Sequence, residues 1–254
     1  MTQHVLRDNI LAWNILSHCL SCGILIPEAL PAVEAECLNK SFVRDVFADM
    51  GERQGAIPMD WNNPLLPASA AACLEVAGFT TMWEQLLGAA GDLLLRRAFT
   101  EDPQAVVEYY YSSLLSCGIP EEQIAKILKL ELNSAYHGQG ESDLEALRAR
   151  LPLPAVRPTP HILFYQRLQR ELSAGNGLFE SVASAACSED TWNQIFSSLN
   201  SSEDEFAKSL QTAGFRLVEQ LMLLQGLRGG TLDYALNHLI RSLEVIELMK
   251  EDRK

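Results

Sequence analysis

Apolar residues recur at three- and four-residue spacing along nearly the whole chain, and no segment sustains the apolar–polar alternation of a half-buried strand. Leu6, Ile10, Trp13, Leu16 and Leu20 fall on one face of a helix. A final helix is predicted over "LDYALNHLIRSLEVIELMK", entered through Gly229, Gly230 and Thr231. Start signals are dense. Thr81–Glu84, Ser142–Glu145 and Ser202–Glu205 match the capping box, in which hydroxyl and carboxylate satisfy orphan backbone amides reciprocally. Asp102-Pro103 and Thr159-Pro160 match an N-cap followed by proline in the first turn. Together these signals predict about ten helices in an all-α, irregular multi-helix bundle.

Stop signals complete the pattern. The stretch L-S-C-G-I occurs twice, at Leu20–Ile24 and Leu115–Ile119. In a Schellman end a left-handed glycine closes the helix, and the apolar residue after it packs on the residue five positions before it. That rule pairs Ile24 with Cys19 and Ile119 with Leu114, and it also fits Phe79 with Leu74 and Phe215 with Leu210. Gly23, Gly78, Gly118 and Gly214 are therefore expected to end helices. Their spacing is uneven, which excludes a regular repeat array.

Two segments break the helical texture. Leu151–Pro160, "LPLPAVRPTP", must be extended, because proline restricts both itself and the residue before it. It either links an N-terminal lobe, 1–150, to a C-terminal lobe, 161–254, through a crossover at 151–160, or runs within one continuous domain. Gly51–Leu66, "GERQGAIPMDWNNPLL", is longer than most connections, and such loops tend to bind. Trp61 is expected to pack back on the helices, leaving Arg53, Asp60, Asn62 and Asn63 on the rim of a pocket. An anchored turn built from Asx hydrogen bonds accounts for the same residues.

Charge narrows the partners. The 254 residues carry a formal net charge of -13, which repels phosphate backbones and anionic lipid and disfavours a nucleic-acid partner. No run reaches 18 uninterrupted apolar residues, so no membrane span is predicted. The apolar stretch after Arg7 is broken by Asp8, Asn14 and His18 and reads as an amphipathic helix, not a leader. Six cysteines sit mostly among apolar helical positions, where free thiols behave as small hydrophobes. A reducing, cytoplasmic setting is expected.

Candidate chemistry is sparse. Cys19 and Cys22 form a CxxC, but at a helix C-terminus the dipole disfavours a thiolate. The second copy keeps Cys117 and has Leu114 in place of a partner. The five histidines, His4, His18, His137, His161 and His238, fit no zinc or di-iron spacing, so neither metal nor cofactor is expected. His4 and Asp8 share a helix face as a surface pair. Tyr109, Tyr110 and Tyr111 point in three directions on one helix, so at least one is expected outward as a binding surface; the alternative places their hydroxyls at the core edge. The expected function is a soluble, acidic helical protein-interaction module of the adaptor, chaperone or regulatory kind. The alternative is an all-α enzyme or small-ligand binder with its pocket under the 51–66 loop, using Arg53, Asp60, Trp61 and His18 or His137.

Overall fold

A computed structural model describes residues 2–40, 46, 65–80, 82–134, 143–187 and 190–251. Thirteen α-helices and no strand occur among the described residues, so the fold is all-α. They are α1 (Gln3–Ser21), α2 (Ile26–Glu36), α3 (Ala68–Thr80), α4 (Trp83–Phe99), α5 (Pro103–Ser116), α6 (Glu121–Leu132) and α7 (Leu144–Arg150), followed by α8 (Pro160–Ser173), α9 (Leu178–Ala186), α10 (Asp190–Ser197), α11 (Glu203–Thr212), α12 (Leu217–Gly229) and α13 (Leu232–Glu251). The chain divides into two compact units. The first holds residues 1–17 and 36–155, and the second holds 18–35 and 156–254.

In the first unit, α3 is alanine-rich and buried from Ala68 to Leu74 and at Ala77, as expected of a helix apolar around its whole circumference. The α1 side chains Ile10, Leu11, Trp13 and Leu16 join the same core with Leu87 and Leu94 of α4. Glycine lets α1 approach closely. A Cβ on Gly91 would lie 2.7 Å from Asn14 Nδ2 and 3.1 Å from the Asn14 backbone nitrogen. The buried polar groups of α1 are matched: Asn9 Nδ2 donates to Leu65 O (2.9 Å), Trp13 Nε1 donates to Asn9 Oδ1 (3.0 Å), and Ser17 Oγ donates to Glu84 O (2.9 Å). Asp8 is buried, not a surface partner of His4; its carboxylate accepts the amides of Leu38 (2.9 Å) and Asn39 (2.8 Å) and a bond from Arg7 (2.9 Å).

The second unit is built on aromatic packing. Phe164 stacks on Trp192 with ring centroids 3.7 Å apart, and Tyr165, Phe196 and Phe206 are fully buried around them. The α12–α13 hairpin is tight: a Cβ on Gly226 would come within 2.7 Å of the Ala235 Cβ.

Helix ends follow the sequence closely, with corrections. Asp102 accepts from Ala105 N (3.0 Å), Thr159 from Ile162 N (3.3 Å) and Ser202 from Glu205 N (3.1 Å). Asp143 caps α7 by accepting from Glu145 N (2.9 Å), in place of the expected Ser142, which lies outside the described residues. Met82 occupies the N-cap position of α4 without a side-chain cap, and Thr81 lies outside the described residues. Gly23, Gly118 and Gly214 all have φ near +79°. Ile24, Ile119 and Phe215 donate to the carbonyls of Cys19, Leu114 and Leu210 at 3.0–3.1 Å and are buried. Gly78 does not end a helix. It lies within α3, and Phe79 is 72% exposed. Residues 152–159 carry no helix.

Gly118 has open space around the position of a Cβ, so its positive φ is what a side chain would strain. Gly118→Ala should lose about 1 kcal/mol of unfolding free energy. Urea denaturation reads this directly, and an unchanged midpoint would exclude the left-handed end.

Candidate functional site

Residues 51–64, including Arg53, Asp60, Trp61 and Asn62, lie outside the described residues, as does His137. The tyrosine triplet packs mostly inward. Tyr109 and Tyr110 are buried, and Tyr111 is part-exposed. Their partners explain this. The Tyr109 hydroxyl donates to Asp92 of α4 and accepts from Arg148 Nε of α7 (3.1 Å), and Arg96 lies over its ring at 5.5 Å. Burial and the Asp92 charge push Tyr109 up to about 12. Tyr110 lies beside Glu131 and Arg97; burial, with the Glu131 charge adding, pushes its hydroxyl well above its ordinary value.

Three polar clusters stand out that local sequence did not reveal. In the first unit, Glu131 near the end of α6 is almost completely buried. Its carboxylate accepts from Ser69 N (2.5 Å), Ser69 Oγ (3.1 Å) and Arg97 Nη1 (3.3 Å). Ser69 is in the first turn of α3, so an anion there complements the helix dipole. Burial nevertheless raises the Glu131 pKa, against the bonds from Ser69 and the Arg97 charge.

In the second unit, Glu219 in the first turn of α12 gathers three donors: Tyr165 OH (2.8 Å), the Arg216 amide (3.0 Å) and His161 Nδ1 (2.6 Å). Burial opposes its ionisation, and the hydrogen bonds outweigh that cost and hold the carboxyl below its ordinary value. The His161 side chain is 38% open, with Trp192 and Phe215 rings 5.2 and 4.8 Å from its own. A carboxylate that orients a histidine ring can support proton transfer at the other ring nitrogen. Here the same carboxylate also caps α12 and ties it to α8, and that joining role uses every contact it makes.

The third cluster, also in the second unit, joins His18 to α13. His18 Nδ1 meets Ser242 Oγ at 2.8 Å, and the His238 ring lies 5.5 Å away against Tyr234. Burial holds the His18 imidazole down to about 3, with His238 and Arg241 adding to the effect. The unfolded chain, with its histidine near its ordinary 6.5, then binds the proton first as pH falls. The His18 contribution is therefore complete above about pH 6.5 and declines by about 1.4 kcal/mol per pH unit towards pH 3. Unfolding free energies measured from pH 7.5 to 4 should show this slope and lose most of it in His18→Asn. An equal slope in both proteins would contradict the assignment.

Among the described residues, no group of three or more His, Cys, Asp or Glu side chains could hold a metal ion, and no helix is long and apolar enough to cross a membrane. Cys19 is pushed up to about 12 by burial, with Cys22 adding to the shift.

One cleft carries an exposed apolar side chain. In the first unit a cleft of about 540 Å³ is lined by Glu75 of α3 and by Gln123, Lys126, Lys129 and Leu130 of α6. Leu130 is 60% exposed. Phe79 stands one helical turn beyond Glu75 on α3 and is also uncovered. Sequence reading missed the exposure of Phe79 because the Gly78 stop signal assigned it to a helix end. No protein-family model, curated protein or solved structure matches the chain.

Proposed function

We propose that the protein is an acidic, all-α protein-interaction module of the adaptor or regulatory kind, and that it receives an amphipathic helix of acidic character in the cleft between α3 and α6. The observation that carries the reading is the uncovered apolar side chain of Leu130 in a cleft it shares with Lys126 and Lys129. A large apolar side chain uncovered at a cleft favours a partner that removes it from water. Two lysines against one glutamate give the cleft local positive character on a chain of net charge -13. An acidic flank on the incoming helix complements that charge, and its apolar face covers Leu130. The six free cysteines suit a reducing compartment such as the cytoplasm.

The test uses three fluorescent amphipathic peptides of equal length and apolar content, one acidic, one neutral and one basic. Titration against the full chain should give the tightest binding with the acidic peptide, weakened about tenfold by Leu130→Asp. Equal binding of all three peptides would remove the proposal, as would an indifferent Leu130→Asp.

A further inference from the structure

Where α4, α5 and α6 of the first unit meet, one arginine has most of its hydrogen-bonding fork unused. Arg97 lies in the last turn of α4 and lines a cleft of about 330 Å³. Its Nη1 donates to the buried Glu131 carboxylate at 3.3 Å, and its side chain is 24% exposed. Nε and Nη2 bond to no protein atom among the described residues, and neither is buried. These two nitrogens form the edge of a guanidinium that matches a carboxylate at two points.

The rest of the lining suits a small acid with an apolar tail. Val106 and Val107 of α5 and Leu132 at the end of α6 supply apolar surface. Asn133, the C-cap of α6, sits in the left-handed region at φ 48° and brings an exposed carboxamide that takes no hydrogen bond among the described residues. Gln104 adds a second exposed carboxamide in the first turn of α5, where the helix dipole is positive. Asp102, next in the chain to this turn, is already engaged: it accepts from Ala105 N (3.0 Å) and faces Arg150 at 3.7 Å. A few polar groups beside an apolar wall, in a cleft of this size, have the make-up of a small-molecule site.

We propose that this cleft binds a carboxylate carrying a short apolar tail. The two carboxylate oxygens accept from Arg97 Nε and Nη2, Asn133 is a further donor, and the tail covers Val106, Val107 and Leu132. The site shares no lining residue with the α3–α6 cleft, so it stands or falls separately from the helix-docking proposal.

The experiment titrates the isotope-labelled full chain by amide NMR with hexanoate, with hexanamide, which has the same tail and no charge, and with N-acetyl-glycyl-leucine. Hexanoate should shift amides at 97–107 and 132–134 with a dissociation constant of about 1 mM, and hexanamide should bind about tenfold more weakly. Arg97→Lys keeps a cation beside Glu131 and removes the fork, so it should weaken hexanoate about tenfold and leave hexanamide unchanged. Gln104→Glu places an acid in the cleft at an exposed helix start, where it is tolerated by the fold, and should weaken hexanoate to a similar extent, about tenfold. The dipeptide binding more tightly than hexanoate would identify the ligand as a chain end, and the reverse order as a free aliphatic acid; both place a carboxylate on Arg97. Equal binding of hexanoate and hexanamide, no shift with either acid at about 10 mM, shifts confined to other residues, or hexanoate affinity unchanged in both variants would overturn the proposal.

Discussion

Replacing Glu219 with alanine should lower the unfolding free energy by about 3 kcal/mol or more, one of the largest losses available to a single polar side chain here. The substitution strands three donors at once: the buried Tyr165 hydroxyl, the Arg216 amide and His161 Nδ1. Through the Arg216 amide the carboxylate also caps the start of α12. Glu219→Gln keeps the shape and one acceptor oxygen, so it should recover about half of the loss. Because the native carboxyl is held below its ordinary value, its contribution is present above the ordinary carboxylate range and declines as pH falls through it. Urea melts of the three proteins at neutral pH decide the matter. An alanine variant as stable as the parent would mean that α8 and α12 are not joined through this carboxylate.

Gly91→Leu should destabilise the first unit by about 3 kcal/mol through overpacking. The strain arises from backbone as well as side chain, since the added Cβ meets the Asn14 nitrogen at 3.1 Å in addition to the amide group at 2.7 Å. Alanine at the same position gains about 1 kcal/mol of helix propensity over glycine, so its net loss should be smaller. Gly88 is a useful contrast. A Cβ there meets the Ser17 hydroxyl at 2.9 Å and no backbone atom within 4 Å, so Gly88→Ala should cost less than Gly91→Ala. A thermal midpoint for Gly91→Leu equal to that of the parent would exclude the close approach of α1 to α4.

The all-α class was legible because caps and periodicity act over a few residues. Asp102, Thr159 and Ser202 each bond an amide two or three positions into their helix, and such contacts are written in consecutive letters. Gly78 shows where that reading fails. The sequence Ala77-Gly78-Phe79 has the form of a stop signal, yet α3 continues past it to Thr80, whose hydroxyl bonds Val76 O at 2.8 Å. Conversely, Gly175 does take the left-handed conformation and was passed over because Asn176, not an apolar residue, follows it. Long-range polar pairing left no local sign at all. Ser69 meets Glu131 across 62 positions and His161 meets Glu219 across 58. The partners of the tyrosine triplet were hidden for the same reason: Asp92, Arg148 and Glu131, which accommodate Tyr109 and Tyr110 in the interior, come from three other helices.

The most direct test of the α3–α6 cleft as a docking site is a charge exchange. Fluorescence anisotropy would compare the acidic and basic amphipathic peptides on the parent chain and on Lys126→Glu/Lys129→Glu. The parent should prefer the acidic peptide, and the double variant should reverse that order, with each change about tenfold. The same preference in both proteins, in either direction, would contradict the account.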